Sequence, residues 1–205
     1  FGSKLKEVTR TGIEMMLAVD VSNSMLAQDF EPSRLERTKF AIDRLTQQLE
    51  QDRIGLIVFA GDAYMQLPIT SDYVAARSFA AQISPTMVSK QGTAIGAAID
   101  LAANSFSSGS EGSRVIVVIS DGENHEDDAL AAAKAAAEKG IRIYTIGIGT
   151  PEGAPISIDG EFIKDEQGDM VVSKLDEQML EQIALTTGGA YIRATNRSLG
   201  LDEIV

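Results

Sequence analysis

Residues 13–25 read Ile-Glu-Met-Met-Leu-Ala-Val-Asp-Val-Ser-Asn-Ser-Met. An apolar run ends at Asp20, and Ser22 and Ser24 follow at every second position. In extended backbone, alternate side chains point to one face. A near-continuous apolar run is the mark of a strand covered on both faces. The stretch therefore predicts a buried strand whose C-terminal end presents one carboxylate and two hydroxyls side by side. These are hard oxygen donors, suited to Mg²⁺ or a similar cation.

Outward from this strand, apolar runs alternate with helical periodicity. Arg34–Glu50 carries Leu35, Phe40, Ala41, Ile42, Leu45 and Leu49 at mostly helical spacing, and Pro32 and Ser33 are helix-start signals. Arg53–Ala60 is a second buried strand. Gly61-Asp62 is a tight turn, and Ala63–Leu67 a short antiparallel strand stopped by Pro68. Asp72 caps a helix with Tyr73, Ala76, Ala80 and Ile83 inward, and Thr93 opens another with Ile95, Ile99 and Ala102 inward. Ser107–Ser113 is a connector too short for a domain linker. Arg114–Ser120 is a central strand, Asp127–Lys139 an Ala-rich helix ended by Gly140, and Ile141–Ile148 a further strand. Asp176–Thr186 is a helix and Ala190–Ala194 the last strand.

This alternation predicts an α/β fold with a doubly wound, mostly parallel six-stranded sheet. The expected strand order is 3-2-1-4-5-6, with strand 3 antiparallel at the edge and helices on both faces. Thr150–Lys174 breaks the pattern. Short β-like pieces surround the turns Asp159-Gly160 and Gln167-Gly168, so a small β-hairpin insertion at the edge of the domain is expected. The whole of 1–205 reads as a single domain: a lead-in at 1–12, a core at 13–194, the insertion at 150–174, and the start of a C-terminal helix at 195–205.

Composition narrows the function. The chain has 205 residues, 18 basic against 30 acidic and a formal net charge of −12. Such a surface repels phosphate backbones, so no nucleic-acid partner is expected. There is no cysteine and a single histidine, His125, which excludes disulfides, thiolate nucleophiles and multi-His metal sites. No apolar run approaches the roughly 18–20 residues that cross a bilayer. The chain begins at Phe1 rather than Met, and is expected to be an excised piece of a longer protein.

Ligands of open α/β sheets bind at C-terminal strand ends where strand order reverses. If the first strand and Val115–Ile119 are neighbours there, Asp121 joins Asp20, Ser22 and Ser24, and Thr93 approaches from the loop before the third helix. Two carboxylates and three hydroxyls suit a divalent cation, which also relieves carboxylate repulsion.

These elements, Asp20-Val-Ser22-Asn-Ser24, Gly92-Thr93 and Ser120-Asp121-Gly122, resemble the metal-ion-dependent adhesion site of von Willebrand factor type A domains. The resemblance runs from about Ile13 to Ala194. Within that family the chain is most similar to bacterial Bat-type, aerotolerance-associated membrane proteins, on Asp20–Phe30, Arg34–Ile42, Arg53–Thr70, Gln91–Ala98 and the Pro155–Leu175 hairpin. The resemblance implies a Rossmann-like, non-enzymatic protein-binding module for adhesion or scaffolding. Ser22, Ser24 and Thr93 would be hydroxyl ligands of Mg²⁺, with Mn²⁺ or Ca²⁺ as alternatives. Asp20 and Asp121 would ligate directly or through water, and an acidic residue of a protein partner would complete the shell. It also implies an inner-membrane anchor outside this chain, a domain facing the periplasm, and other membrane proteins of the same system as partners.

Two readings compete. Asp20 could be the nucleophile of a Mg²⁺-dependent phosphoryl-transfer hydrolase. Ser22 stands where such folds often carry a second Asp, and no general acid or lysine clamp is evident. A scaffold with a vestigial site is the other, against which the intact ligand set argues. Asp29 and Glu31 read equally as partner surface or loop solvation. His125 reads as a surface loop residue, and Glu123 and Asp127 as serving the N-terminus of the helix that follows them. Gly147–Gly153 has the wrong spacing for a phosphate loop. The hairpin at 150–174 is expected to contribute to assembly with a neighbouring protein.

Overall fold

In the computed structural model, which describes residues 12–107, 112–123 and 127–204, strand β1 spans Glu14–Asp20 and is buried along its length. Its alternation sorts side chains to two cores. Met15, Leu17 and Val19 join one apolar cluster, and Met16 and Ala18 the other. Each large aliphatic side chain buried this way contributes about 1.5–3 kcal/mol, so the strand is held from both sides.

Helix α1 (Arg34–Gln48) and helix α2 (Tyr73–Ala81) cover the first face. Helices α3 (Ile95–Ala103), α4 (Ala129–Glu138) and α5 (Glu177–Thr186) cover the second. Between them lie β2 (Arg53–Phe59), β3 (Ala63–Thr70), β4 (Arg114–Ser120) and β5 (Arg142–Gly147). The Thr150–Lys174 segment contains β6 (Ala154–Pro155), β7 (Ser157–Ile158), β8 (Glu161–Phe162) and β9 (Val172–Ser173), and β10 (Tyr191–Arg193) ends the series. The main sheet has six strands in the order β10-β5-β4-β1-β2-β3, antiparallel only where β2 meets β3. This is the expected 3-2-1-4-5-6 order, with β10 as the sixth strand.

The chain leaves β1 toward β2 and β3, then returns to β4 on the other flank of β1. The order thus reverses between β1 and β4. Their parallel register, Val19 beside Ile119, brings the end of β1 level with the end of β4. In the insertion, β7 pairs with β8 around Asp159-Gly160, and β6 pairs with β9 to form the stem.

Four local expectations are corrected. Phe40 is 58% exposed, because the buried stripe of α1 runs through Leu35, Thr38, Ile42 and Leu45 and leaves position 40 on the far side. Strand β3 continues through Pro68 to Thr70. It is an edge strand, and its pairing with β2 shifts register on either side of Leu56, where a missing N–H is tolerated. Helix α3 starts at Ile95, after Ala94, rather than at Thr93. Asp127 serves not its own helix but α3, accepting from the amides of Gly96 at 2.9 Å and Ala97 at 2.7 Å. Helix α4 is capped by Asp128, whose side chain accepts from Ala131.

The expected C-terminal helix is represented by a 3₁₀ turn at Leu201–Glu203. The lead-in up to Thr11, the centre of the 107–113 connector and His125 lie outside the described residues.

Candidate metal centre

Asp20 is the last residue of β1 and has no solvent exposure. Its two carboxylate oxygens are held separately. Oδ1 accepts from the Ser22 amide at 2.8 Å, and Oδ2 accepts from the Ser120 hydroxyl at 2.7 Å. Beyond it the chain enters a 3₁₀ turn at Asn23–Leu26. That turn folds Ser24 back beside Ser22, with their hydroxyl oxygens 2.9 Å apart. The spacing that suggested two hydroxyls on one face is thus realised through a tight turn rather than through continued strand.

Asp121 follows β4 and is equally buried. Its Oδ1 accepts from the Glu123 amide at 3.3 Å. Its backbone carbonyl accepts from the Asp176 amide at 2.7 Å, the link to the start of α5. Gly122 makes this approach feasible, since its φ is +83° and a Cβ there would collide with the Asp176 carbonyl.

Burial pushes both carboxyls up. For Asp20, loss of hydration comes first and the Asp121 charge second, and together they raise it to about 7 despite its hydrogen bonds. Burial also raises Asp121, while the Ser24 hydroxyl and the Arg34 charge act the other way.

Thr93 reaches the same edge of the sheet by a backbone route. The Ala94 amide donates to Ala60, just past β2, at 2.6 Å, and Asp20 pairs with Phe59 of β2. Thr93 is itself buried. Because Asp127 caps α3, the Thr93 hydroxyl is not the group that caps that helix. Asp20, Ser22, Ser24 and Asp121 therefore converge through hydrogen bonds and charge, and Thr93 flanks them.

Three neighbours carry no role in the sequence reading. Ser120 lies within the quoted Ser-Asp-Gly, and only the β1–β4 register turns it toward Asp20. Arg34 is fully buried. Its Nε and Nη2 grip Asp29 at 2.7 Å each, and its Nη1 lies 3.3 Å from Asp121 Oδ2. The signal for it was local: a cation at the first position of a helix opposes the helix dipole and needs a partner elsewhere. Asp29 is not ordinary loop solvation. Burial alone would raise its carboxyl, but the Arg34 fork and Thr150 hold it below the usual range. Glu31, by contrast, is exposed. Ser173, in the stem of the insertion, completes the group, its hydroxyl 2.9 Å from Arg34 Nη1 and 3.3 Å from Asp121 Oδ2.

Every buried side-chain nitrogen and oxygen among the described residues has a hydrogen-bond partner. Those residues contain no cluster of three or more His, Cys, Asp or Glu able to hold a metal. Any cation here would depend on hydroxyls as well as carboxylates. The donor set of two buried carboxylates and three hydroxyls fits a hard divalent ion and suits neither a soft metal nor an organic cofactor.

The family model of the von Willebrand factor type A domain matches residues 14–205. A solved structure titled conserved hypothetical protein BatB, from Bacteroides thetaiotaomicron, is 53% identical with a TM-score of 0.87, covering 90% of this chain and 91% of that one. An aerotolerance-related membrane protein from Bacteroides fragilis is equally similar at 53% and 0.87, covering 90% and 92%. Among curated proteins, a UPF0353 protein of Mycolicibacterium paratuberculosis is 31% identical over 192 residues, covering 88% of this chain and 55% of its own length. The chain thus spans about half the length of the curated relatives it matches. A mussel byssus thread matrix protein, solved with a zinc-occupied adhesion-site motif, shares the fold at 15% identity and a TM-score of 0.68, covering 94% of this chain and 43% of that one.

Proposed function

The chain belongs to the von Willebrand factor type A domain family, and from that premise we propose that its β1–β4 crevice binds a divalent cation and, through it, an acidic side chain of a protein partner. The observation that carries this reading is the pairing of two buried carboxylates, Asp20 and Asp121, with hydroxyls at the reversal point of the sheet. Burial raises the proton affinity of both, the Asp121 charge adds to it at Asp20, and a divalent ion supplies the positive charge that relieves this cost. Asp20, Ser22, Ser24, Thr93 and Asp121 would hold it, with Mg²⁺ the first choice and Mn²⁺ or Ca²⁺ as alternatives. The bound ion supplies a positive point for an external carboxylate. The hydroxyls add no charge of their own, so the ion retains attraction for that ligand.

The surface beside the crevice suits a polypeptide. An open groove of about 600 Å³ runs past Asn23 and Leu26, the Ser84–Gln91 loop and the Ser157–Asp159 turn of the insertion. Its lining is mostly hydroxyl, amide and aliphatic. Phe162, Met170 and Val172 of the insertion are largely exposed, which supports a contribution of this segment to assembly with a neighbouring protein.

A phosphoryl-transfer role for Asp20 has less support, since Ser22 stands where such folds often carry a second Asp. A vestigial site is disfavoured by the convergence of the donors. By similarity to the Bacteroides fragilis membrane protein, the domain would be carried on an inner-membrane anchor and face the periplasm, alongside other membrane proteins of its system. No helix among the described residues is long and apolar enough to cross a membrane.

The test is Mn²⁺ binding by titration calorimetry, paired with capture of partners from membrane extract in Mg²⁺ and then in chelator. The expected result is divalent binding that Asp20→Ala and Ser22→Ala abolish without unfolding, and an ion-dependent partner. Absence of divalent binding at millimolar concentration would instead favour the vestigial scaffold.

A further inference from the structure

The Thr150–Lys174 insertion is fastened to the candidate metal centre at both of its ends, and one buried side chain makes the join. At the leading end, the Thr150 amide and hydroxyl donate to Asp29 Oδ2 at 3.1 and 3.3 Å. Asp29 is in turn forked to Arg34. At the trailing end, Arg34 Nη2 donates to the Ser173 carbonyl at 2.9 Å, and Nη1 lies 2.9 Å from the Ser173 hydroxyl. The same Nη1 faces Asp121 Oδ2 and also lies 3.4 Å from the Ser24 carbonyl. Gly149, with φ +139°, lets the backbone lie against the guanidinium, where a Cβ would sit 3.0 Å from Cζ. Arg34 therefore touches the trailing strand of the stem at Ser173, the backbone at Gly149 just ahead of the insertion, the Ser24 turn and the second carboxylate of the site.

We propose that Arg34 is a positioning residue that couples docking of the insertion to cation occupancy of the crevice, the two opposing one another. This inference rests on the cation reading of the site. Arg34 Nη1 and the Ser173 hydroxyl both draw on Asp121 Oδ2. A divalent ion drawing on the same carboxylate competes with them for its negative charge. It also places a second positive charge near a guanidinium that is buried and weakly screened. Occupancy thus weakens the hold of Asp121 on Arg34 and Ser173, and with it the trailing end of the insertion. Asp29 keeps its fork, so Arg34 stays in place while the stem loosens. Coupling of this kind is reciprocal: releasing the insertion raises cation affinity by the factor with which the cation releases the insertion. Because the insertion also borders the groove beside Asn23, its release would change the surface offered to a partner.

Ser173→Ala and Thr150→Val test the coupling. Each removes one hydroxyl and leaves the buried charges paired. Ser173 bonds Asp121 directly, whereas Thr150 reaches the site only through Asp29 and Arg34. Mn²⁺ affinity is measured by calorimetry. Hydrogen exchange of the 150–174 amides is followed with and without saturating Mn²⁺. Expected are faster exchange across the stem on Mn²⁺ binding to the wild-type chain, and Mn²⁺ affinity raised on the order of 5-fold or more by Ser173→Ala. A smaller rise with Thr150→Val is expected as well, which a purely local effect at Asp121 would not produce. Wild-type Mn²⁺ binding with unchanged stem exchange and unaltered affinity in both variants overturns the coupling alone. A wild-type chain that binds no Mn²⁺ overturns the cation reading and this inference with it.

Discussion

Asp20 shows how much chemistry a single buried carboxylate carries. Its folded-state proton affinity is raised from 3.8 to about 7, first by burial and then by Asp121. Between those values the folded protein holds a proton that the unfolded chain has released, so stability falls as pH rises through that window. Asp121 is raised as well and adds in the same direction. Asp29 and Glu177 are lowered, and their contributions are lost only as pH falls below the ordinary carboxylate range. The expected outcome in chelator is a lower urea midpoint at pH 8 than at pH 5. Asp20→Asn should flatten this slope. Saturating Mg²⁺ should flatten or reverse it, because the ion takes the place of the proton. A slope unchanged by Asp20→Asn would show that the carboxylate is not desolvated as described. At this scale the candidate donors Asp20, Ser22 and Ser24 were legible from residue type and spacing, since Asp and Ser at alternate positions declare themselves. Arg34 and Ser120 did not, because their roles are set by neighbours 87 and 100 residues away in sequence.

Among elements, the start of α3 is the most informative. Ala94 stands at the N-cap and makes no side-chain cap, and Asp127 reaches across from the chain before α4 to satisfy the amides of Gly96 and Ala97. The cap joins two helices of one face and fixes the turn that carries Thr93. Asp127→Ala should therefore cost about 1 kcal/mol of stability, in the range of lost N-caps. It should also weaken divalent binding through displacement of Thr93. Denaturant unfolding and Mn²⁺ titration of one variant check both, and retained affinity with reduced stability would separate Thr93 from the cap. The sequence placed Asp127 on the wrong helix because capping propensity is local. A carboxylate just ahead of a helix is ordinarily its own cap, and nothing in periodicity reveals that a second helix start lies within reach. Pro68 is a similar case, stopping a strand by propensity but tolerated at an irregular edge.

For the molecule as a whole, a ligand that binds only the folded crevice stabilises the entire fold by mass action. At a concentration 100 times its dissociation constant, a divalent ion should add about 2.7 kcal/mol, or roughly 5–10 °C in Tm for a chain of this size. Thermal unfolding in Mg²⁺ against chelator measures it. The shift should disappear in Asp20→Ala, while a shift that persists there would place the ion elsewhere on this acidic chain.

The amino-acid sequence alone specified the α/β alternation, the central place of β1, the expected strand order and the candidate ligands Asp20, Ser22, Ser24, Thr93 and Asp121. The alternation and the Asp-x-Ser-x-Ser run follow from apolar periodicity and side-chain chemistry within a few residues, whereas the strand order and the grouping of Thr93 and Asp121 with that run rest on the resemblance to the family. Tertiary structure alone decided that β1 and β4 end level with one another, that Ser120 orients Asp20, that Asp127 caps α3, and that Arg34 joins the insertion to Asp121. The physical reason is that a buried charge is satisfied by whichever donors the packed chain brings within about 3 Å, and sequence separation places no limit on that search. The stretch from Ile13 to Met25 thus marks the candidate cation site, and the fold around it brings the buried Arg34 charge to its edge.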